Sequence, residues 1–294
     1  MNFVGIDLHK KTISICVVNK ERDILDRKRL FCRTPERIVA FFESIKPFQA
    51  VVEATAGYEW LLALLDPLAD RLVPAHPRKM RIIPESTRKS DKLDAQMLAE
   101  FLALDMIPES YRPSKGERAH RVLVRQRRYV SGRITAVGNK IRGILSNYNA
   151  DREDLFTEAG LEYLSKAAVV EADRLVIEQL TAEFHLHSQQ LNEADKRLAE
   201  LATEGPTREA EARAVLSTIP GVGPVTVDVV VSELGDIRRF RSQKKVWAYA
   251  GLVPGQRESA GRSRELGITK GNSSAVCNYP VNSAILSSRS GGRD

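Results

Sequence analysis

The chain has 294 residues, of which 43% are hydrophobic, and its formal net charge is +7. This length allows two compact units, or one unit with an extended part. No apolar run approaches the roughly 18 residues that span a bilayer, and no signal-peptide pattern opens the chain. We therefore expect a cytoplasmic protein with no membrane partner. The three scattered cysteines, Cys16, Cys32 and Cys277, argue against a disulfide framework and a zinc site.

The first hundred residues predict an α/β domain with a mixed sheet. Short apolar runs predict five strands, and amphipathic segments between the later strands predict helices. The predicted strands cover residues 2–8, 12–19, 25–32, 49–54 and 71–76, and the predicted helices cover residues 34–45 and 57–68. Strands that are followed by alternating helix and strand are typical of such a domain. Residues 77–88 are basic and predict irregular chain.

Four carboxylates occupy unusual places in this pattern. Asp7 lies in the middle of an apolar strand, Glu53 lies near the end of another, and Asp91 and Asp94 share the first turn of a helix that begins after Ser90. A buried carboxylate is costly unless it is paired or bound to a metal. Two Mg²⁺ ions about 4 Å apart would remove that cost and hold the oxygens of a phosphodiester in line. Taken singly, Asp94 also suits a surface position and Asp91 a helix-dipole partner.

Two segments in the middle of the chain carry heptad seams, in which apolar residues recur in alternating steps of four and three. The seams consist of Val130, Ile134, Val137, Ile141, Ile144 and Tyr148, and of Leu180, Phe184, His187, Leu191, Ala194, Leu198 and Leu201. They predict an antiparallel coiled-coil pair or a dimerisation element. Residues 149–170 must then turn the chain around, and His187 is interpreted as a polar residue that sets the register.

Charge is distributed in blocks of opposite sign. Residues 114–147 contain nine basic side chains and one acidic one, residues 150–204 contain five and thirteen, and residues 238–270 contain nine and two. A solvated helix face usually mixes its signs, so the basic blocks favour nucleic acid as the partner. The candidate contact residues in these blocks are Arg118, Arg121, Arg125, Arg128, Lys244 and Lys245.

The stretch "PGVGP" at residues 220–224 separates two helical patterns and resembles a helix-hairpin-helix turn. Gly221 and Gly223 would let backbone amides approach a phosphate, and the next helix presents its positive end. The alternative is a tight turn between helices that binds no ligand. The region that follows, up to residue 272, predicts a basic helix with aromatic residues and then a loop rich in glycine and serine.

Six motifs, taken in order, resemble the DEDD transposases of the insertion-sequence one-ten family. They are "GIDLHK", "VVEATAGYEW", "KSDKLDAQMLAEF", "IPGVGPVTVDVVVSELGD", "FRSQKKVWAYAGLVPG" and "SAGRSRELGITKGN". The resemblance implies an RNase H-like (RuvC-like) catalytic domain at residues 1–112 and a coiled-coil region for dimerisation at residues 113–205. It also implies a small, mostly α-helical transposase domain at residues 206–272, which contains the helix-hairpin-helix-like motif.

The resemblance also implies a chemistry. The four carboxylates of the family match Asp7, Glu53, Asp91 and Asp94. These residues would hold Mg²⁺. Ser259, in "ESAGRS", best matches the family's serine nucleophile, which forms a covalent 5′-phosphoserine with DNA, and Ser263 is the second choice. A structured non-coding bridge RNA that pairs with donor and target DNA would guide a homodimer or a tetramer.

Two other functions stay open from the residues alone. The carboxylates could activate water, as in a Holliday-junction-type nuclease, or the chain could be an inactive remnant that still binds nucleic acid. An actin-like ATPase is disfavoured because no GxxxxGK[ST] loop is present. Residues 273–294 depart from the family pattern, as a truncated or frame-altered end would. They are rich in serine and glycine and predict a disordered tail.

Overall fold

The structure of the protein is a computed structural model that describes residues 1–80, 91–204, 207–259 and 262–268. For residues 78, 91–93, 207–208 and 254–268 it describes the backbone alone. The chain divides into two compact units, Met1–Arg112 and Pro113–Asp294. The predicted tail at residues 273–294 lies outside the described residues, and the predicted division of the second unit near residue 205 stays a prediction.

The described part of the first unit contains five strands and four helices. The strands are β1 (Asn2–Leu8), β2 (Thr12–Val18), β3 (Ile24–Phe31), β4 (Phe48–Glu53) and β5 (Arg71–Ala75). The helices are α1 (Pro35–Ser44), α2 (Glu59–Leu65), α3 (Pro77–Met80) and α4 (Asp91–Ala103). All five strands agree with the prediction to within one residue at each end. The short helix α3 lies where the sequence predicted irregular chain.

The strands form one mixed sheet in the order β3-β2-β1-β4-β5. Strands β1, β2 and β3 follow one another through short turns and pair antiparallel. Strands β1, β4 and β5 pair parallel, since helical crossovers return the chain to the same end of the sheet. The mixed sheet with its helices is confirmed, and it is consistent with the RNase H-like fold. The carboxyl ends of β1 and β4 therefore lie side by side.

Helices cover both faces of this sheet, because alternate residues of each strand point to opposite faces. One face packs on α1 and α2 through a core that includes Val4, Ile6, Ile13, Ile15, Ile38, Phe42, Val52, Leu61 and Leu62. The other face packs on α4 through Ala95, Leu98, Ala99 and Leu102. Met97 and Phe101, which are also apolar residues of α4, are only half-buried.

Helix α4 packs on the sheet through alanines because it lies very close to Gly5 of β1. A Cβ atom on Gly5 would lie 1.9 Å from the carbonyl oxygen of Ala95 and 2.5 Å from the amide nitrogen of Ala99. The end of α4 lies over the start of β1, where Ala103 and Phe3 join the same cluster. The helix thus runs antiparallel to the strand, with its first turn towards the strand's carboxyl end.

The described part of the second unit is mostly helical. Its elements are α5 (Lys115–Ser146), α6 (Glu158–Lys166), α7 (Glu171–Glu204), α8 (Thr207–Ser217), α9 (Pro224–Leu234), a 3-10 helix (Ile237–Arg239), α10 (Gln243–Tyr249), β6 (Pro254–Ser259) and β7 (Arg262–Ile268). Helix α5 begins in a capping box, in which Ser114 and Glu117 each accept the other's backbone N–H. Across the described ranges, no helix combines the length and the apolar character needed to cross a membrane.

Helices α5 and α7 pack against each other in opposite directions. Arg127 pairs with Asp195, and further along α5 Arg133 pairs with Glu183. Residue numbers therefore rise along one helix as they fall along the other. The core that α5 and α7 share with the chain between them contains Val137, Ile141, Leu145, Leu155, Leu164, Ile177 and Leu180. The segment that was predicted to turn the chain around contains α6.

A buried polar cluster, which the sequence analysis missed, joins α5, α8 and α9. The two ring nitrogens of His120 lie 3.3 Å from carboxylate oxygens of Glu209 and Asp228. Arg213 pairs with the same two carboxylates at 3.0 and 2.6 Å. Burial alone would lower the pKa of His120, but its hydrogen bonds with Asp228 and Glu209 outweigh burial and raise that pKa. The cluster thus carries paired charges between three helices.

The hairpin of β6 and β7 corrects one prediction. The sequence predicted a glycine- and serine-rich loop after the basic helix, whereas two antiparallel strands occupy that region. Their sequences, "PGQRES" and "RSRELGI", are mostly polar. The alternation of apolar and polar residues that indicates a half-buried strand is therefore missing.

Candidate active site

Asp7 and Glu53 are neighbours at the carboxyl ends of β1 and β4. The parallel register pairs Ile6 with Val52, so the next residue of each strand, Asp7 and Glu53, stand side by side. Adjacent strands lie about 4.8 Å apart. Asp7 follows two residues after Gly5, which faces α4. The two carboxylates therefore lie on the α4 face of the sheet.

The other two predicted carboxylates belong to the first turn of α4. The helix crosses β1 at Gly5, through Ala95 and Ala99, and runs antiparallel to it. Its first turn, which contains Asp91 and Asp94, thus lies towards the end of β1 that carries Asp7. Asp94 is half-buried. The side chain of Asp91 lies outside what the structure describes.

His9 lies next to Asp7 at the end of β1. The Nε2 atom of His9 lies 3.0 Å from Oδ2 of Asp7, and the Asp7 side chain is only 15% exposed. This distance places the imidazole ring directly beside the carboxylate. His9 is not among the sequence-predicted site residues. The available signal was its position two residues after Asp7, because residues two apart share a face of an extended chain.

The donor set suits Mg²⁺ by its chemistry. Carboxylate oxygens are hard ligands of the kind that Mg²⁺ prefers, and Asp7 and Glu53 supply them from adjacent central strands. Among the side chains that the structure describes, no group of three or more His, Cys, Asp or Glu residues is arranged to hold a metal ion. The predicted set of four is described only in part, since it includes Asp91.

The row that contains Asp7 continues across the sheet towards its open edge. Asp7 pairs with Ser14 of β2, and Ser14 pairs with Arg29 of β3. Two strand spacings place the backbone of Arg29 about 10 Å from that of Asp7. No sequence pattern indicated Ser14 and Arg29, because only the strand register brings these residues into one row.

The two candidate nucleophiles lie on the β6–β7 hairpin of the second unit. Ser259 is the last residue of β6 and pairs with Arg262. Ser263 pairs with Glu258, in the adjacent cross-strand pair. Both serines therefore lie at the end of the hairpin where β6 ends and β7 begins. The structure describes their backbone alone.

Two of the predicted nucleic-acid contacts on α5 bind the protein itself. Arg121 donates hydrogen bonds to the backbone carbonyl oxygens of Ser232 and Glu233, at 2.5 and 3.1 Å. Arg125 forms a bidentate pair with the carboxylate of Glu233, at 3.0 and 3.1 Å. Ser232 and Glu233 belong to the last turn of α9, which carries the negative end of the helix dipole. These arginines thus hold α5 against α9.

The remaining basic candidates differ in their surroundings. Arg118 donates a hydrogen bond to the carbonyl oxygen of Pro113, at 2.8 Å, and Arg128 is half-buried. Lys244 and Lys245 are exposed on α10. Their positions leave the ammonium groups open to a polyanion in solution.

The two glycines of "PGVGP" form the turn between α8 and α9. Gly221 has a φ of 80°, in the left-handed region that favours glycine. Gly223 is the residue before α9, with a φ of −84°, and Pro224 begins the helix. A Cβ atom on either glycine would meet nothing within 4 Å. The chain's own packing therefore does not require Gly223, whereas its backbone conformation requires Gly221.

Two protein families match different parts of the chain. The DEDD transposase family of IS110 elements matches residues 4–150, which is half of the chain. The family described as "Transposase IS116/IS110/IS902 family" matches residues 213–279. The first match contains the sheet and α4, and the second contains α9, α10 and the hairpin.

Known transposases resemble the chain over most of its length. The transposase for insertion sequence element IS1328 of Yersinia enterocolitica is 24% identical over 277 residues, which cover 92% of this chain and 79% of the relative. The transposase for insertion sequence element IS1111A of Coxiella burnetii is 25% identical over 279 residues, which cover 92% and 73%. The resemblance that the six motifs indicated is thus confirmed. The chain belongs to the IS110 family of insertion-sequence transposases.

Proposed function

We propose that this transposase cuts and exchanges DNA strands with a serine nucleophile, that its carboxylates hold Mg²⁺, and that a bridge RNA guides it. One observation carries the metal-dependent part of the proposal. Asp7 and Glu53 lie at the carboxyl ends of adjacent parallel strands, on the face that α4 covers. The first turn of α4, with Asp91 and Asp94, lies towards the same end of β1.

In this proposal the central strands β1 and β4 act as a rigid mount for the carboxylates. Asp7, Glu53, Asp91 and Asp94 would hold two Mg²⁺ ions. When bound, these ions would withdraw negative charge from the scissile phosphate and from the oxygens entering and leaving it. The ring of His9, with Nε2 at 3.0 Å from Asp7, would lie beside this metal site. The bound cations would offset the mutual repulsion of the four ionised acids.

Ser259 would carry out the covalent step. Its hydroxyl oxygen forms a bond to the scissile phosphorus and gives up its proton, while the bond from phosphorus to the 3′ oxygen breaks and that oxygen takes up a proton. The products are a 5′-phosphoserine and a free 3′ hydroxyl. A different 3′ hydroxyl can then attack the phosphoserine and release the serine. One phosphodiester replaces another at each step, so no external energy source is needed. Ser263 is the alternative nucleophile.

The nucleic acids would also contact the second unit. Exposed Lys244 and Lys245 on α10 would approach donor or target DNA, and the turn at Gly221 and Gly223 would offer backbone amides to a phosphate. The bridge RNA and a homodimer or tetramer, in which one subunit's acids act with another subunit's serine, are proposed from the family resemblance. A cytoplasmic location, with the protein bound to the nucleoid, accords with these partners.

The test uses the full chain with the element's non-coding RNA, Mg²⁺, and donor and target DNA. A denaturing gel is examined for a DNA strand covalently attached to protein. We expect the adduct from the wild type, and we expect its loss in Ser259→Ala and in Asp7→Asn. Asp70→Asn is the matched control, because Asp70 is an exposed carboxylate immediately before β5, at the opposite end of that strand from Ala75. This variant should form the adduct as the wild type does.

Each other outcome identifies a specific error. An adduct that survives in Ser259→Ala but is lost in Ser263→Ala would move the nucleophile to Ser263. Cleavage without any adduct, abolished by Asp7→Asn, would show a nuclease that uses water. Binding of DNA and RNA with no cleavage in Mg²⁺ would show an inactive remnant. Adduct formation that does not require the RNA would refute the guide.

A further inference from the structure

The open edge of the sheet next to the carboxylates carries basic and aromatic side chains. Residues 9–37 contain nine basic and four acidic side chains, and nearly all of the edge strand β3 is exposed. Arg27 donates a hydrogen bond to Gln96 of α4, so it lies on the α4 face. Arg29 and Phe31, two and four residues later, share that face.

Arg29, Phe31 and Arg33 form a continuous exposed surface, which we term the β3 strip. Arg29 lies in the row of Asp7, and Phe31 pairs with Thr12, the first residue of β2. The β3 strip is thus at the same end of the sheet as the carboxylates. Phe31 is 54% exposed, and the guanidinium carbon of Arg33 lies 5.4 Å from the centre of its ring.

Protection of an edge strand explains only part of this surface. Charged side chains on an exposed edge prevent pairing with another chain, and the arginines and lysine of β3 serve that purpose anywhere along the strand. A large exposed ring on the same edge has the opposite effect, because it favours association. Phe31 therefore suggests a ligand with both a flat apolar surface and negative charge.

We propose that the β3 strip binds an unpaired DNA strand beside the scissile phosphate, with Phe31 stacked on a base and Arg29 at a backbone phosphate. Aromatic rings next to cations are the usual means of binding a single strand regardless of its sequence. The exchange of strands also requires unpaired DNA close to the point of cleavage. The location of the ligand rests on the proposed function, since it takes Asp7 to mark the scissile phosphate.

A tryptophan reporter tests the stacking directly. Phe31→Trp places an indole in the strip, and a base that stacks on it should quench its fluorescence. The probe is an oligothymidine, added to the full chain in EDTA so that no cleavage occurs. Leu25→Trp is the matched control, because Leu25 lies near the other end of β3 and is also 54% exposed. The native Trp60 and Trp247 contribute equally to both variants.

We expect saturable quenching in Phe31→Trp that clearly exceeds that in Leu25→Trp and in the wild type. Equal quenching in all three proteins would overturn the proposal. In a separate titration by fluorescence anisotropy, Phe31→Ala and Phe31→Leu should each weaken binding of the oligothymidine about tenfold. Phe31→Leu keeps the apolar surface of the strand, so a loss in that variant reports the ring itself. Unchanged affinity in both would also overturn the proposal.

The phosphate contact is tested by a second pair of variants. Lys28 is exposed on the same strand but lies on the opposite face, where Leu30 packs on the α1 and α2 core. Arg29→Gln should reduce the slope of log K on log salt by about 0.7, and Lys28→Gln should leave the slope unchanged. Equal changes in the two variants would show a general charge effect and would refute the assigned contact.

Two further arms separate this inference from its premise. If the quenching titration of Phe31→Trp gives a higher affinity for oligouridine than for oligothymidine, the strip binds RNA and the DNA assignment is refuted. The second arm is the adduct assay itself, because the oligothymidine titration in EDTA needs no cleavage and is therefore independent of it. The catalytic proposal can therefore fail in the adduct assay while the β3 strip is still found to bind the strand, and the reverse can also be observed.

Discussion

A methyl group on Gly5 would lie 1.9 Å from the carbonyl oxygen of Ala95. This distance is far below a van der Waals contact, and both atoms that would meet belong to regular secondary structure. Helix α4 can therefore lie over β1 only because residue 5 has no side chain. The same contact fixes how closely the first turn of α4, with Asp94, approaches the end of β1 that carries Asp7.

We predict that Gly5→Ala destabilises the first unit by at least about 3 kcal/mol, because α4 must move away from β1. Gly132→Ala is the control. Gly132 is exposed on α5, a Cβ atom there meets nothing within 4 Å, and alanine is the better helix former by about 0.5–1 kcal/mol. Urea unfolding followed by circular dichroism should give a lower midpoint for the first variant and an equal or higher one for the second. Equal midpoints for Gly5→Ala and wild type would contradict the contact.

The buried cluster around His120 predicts a specific pH dependence. Burial acts to lower the pKa of His120, but its hydrogen bonds with Asp228 and Glu209 outweigh burial. The pKa in the folded state is therefore raised above its ordinary 6.5. The folded state lowers the pKa of Glu209 from 4.5, mainly through its hydrogen bond with His120. Protonation of His120 therefore contributes its full stabilisation of the folded state when the pH is below the unfolded pKa. This contribution is lost as the pH rises through the raised pKa of the folded state. Glu209 stabilises above its unfolded pKa and loses that contribution as the pH falls.

The cluster should thus contribute most to the free energy of unfolding of the second unit between about pH 4.5 and 6.5. The groups that face His120 are Glu209 and Arg213 from α8 and Asp228 from α9. We predict that the urea midpoint of the wild type falls from pH 6.5 to pH 8.5, and that His120→Gln removes most of this fall. Fluorescence of Trp247 in a Trp60→Phe background would follow the second unit. An unchanged pH slope in His120→Gln would show that another group titrates.

Arg125 and the lysines of α10 should give opposite results, although the sequence placed them in one class. The Arg125 side chain is 62% exposed, but its partner Glu233 is only 4% exposed. Arg125→Gln leaves a buried carboxylate without its charged partner, so we predict a loss of about 2 kcal/mol in stability. The salt dependence of duplex DNA binding should not change in this variant, provided that it is measured below its unfolding transition.

The double variant Lys244→Gln, Lys245→Gln should lose DNA affinity but keep its stability. Both side chains are exposed, so the stability should change little. If each lysine neutralises one phosphate, the slope of log K on log salt should decrease by about 1.8 for duplex DNA. Fluorescence anisotropy over a range of salt concentrations measures this slope. A decrease in Arg125→Gln, with none in the lysine variant, would reverse the assignment.

The turn at residues 220–224 offers a test in which stability and binding separate. Gly223 has a negative φ and open space around its Cβ position, so Gly223→Ala should not change the free energy of unfolding. Gly221→Ala should cost about 1 kcal/mol, because alanine is strained at a φ of 80°. A phosphate at this turn would meet the new methyl group, so Gly223→Ala should weaken DNA binding. Unchanged binding would favour the turn without a ligand.

Local sequence patterns predicted the elements of the first unit closely. Continuous apolar runs bounded by turn residues are strong signals, and β1 to β5 follow them. The acids were noticed for the same reason, since Asp7 interrupts an apolar strand and its type is disfavoured there. Heptad seams predicted an antiparallel pair or a dimerisation element, because apolar spacing along a helix reports which of its faces is buried. Helices α5 and α7 do pack against each other.

Other features of the site depend on residues that are far apart in the chain. The parallel register that sets Asp7 beside Glu53, and the row that reaches Arg29, follow from strand pairing. No local pattern encodes that pairing. A basic helix has the same appearance in sequence whether its arginines meet a phosphate or the last turn of another helix. Only the packed chain shows that Arg121 and Arg125 meet α9.

The sequence by itself therefore determined the family, the strands and the long helices, and it supplied the four candidate acids, because each depends on residues close together in the chain or on an ordered set of motifs. The tertiary structure alone decided which acids are neighbours, which cations are internal, and that the exposed ring of Phe31 lies at the carboxylate end of the sheet. The physical reason is that burial and pairing are satisfied between segments that the chain brings together only when it folds.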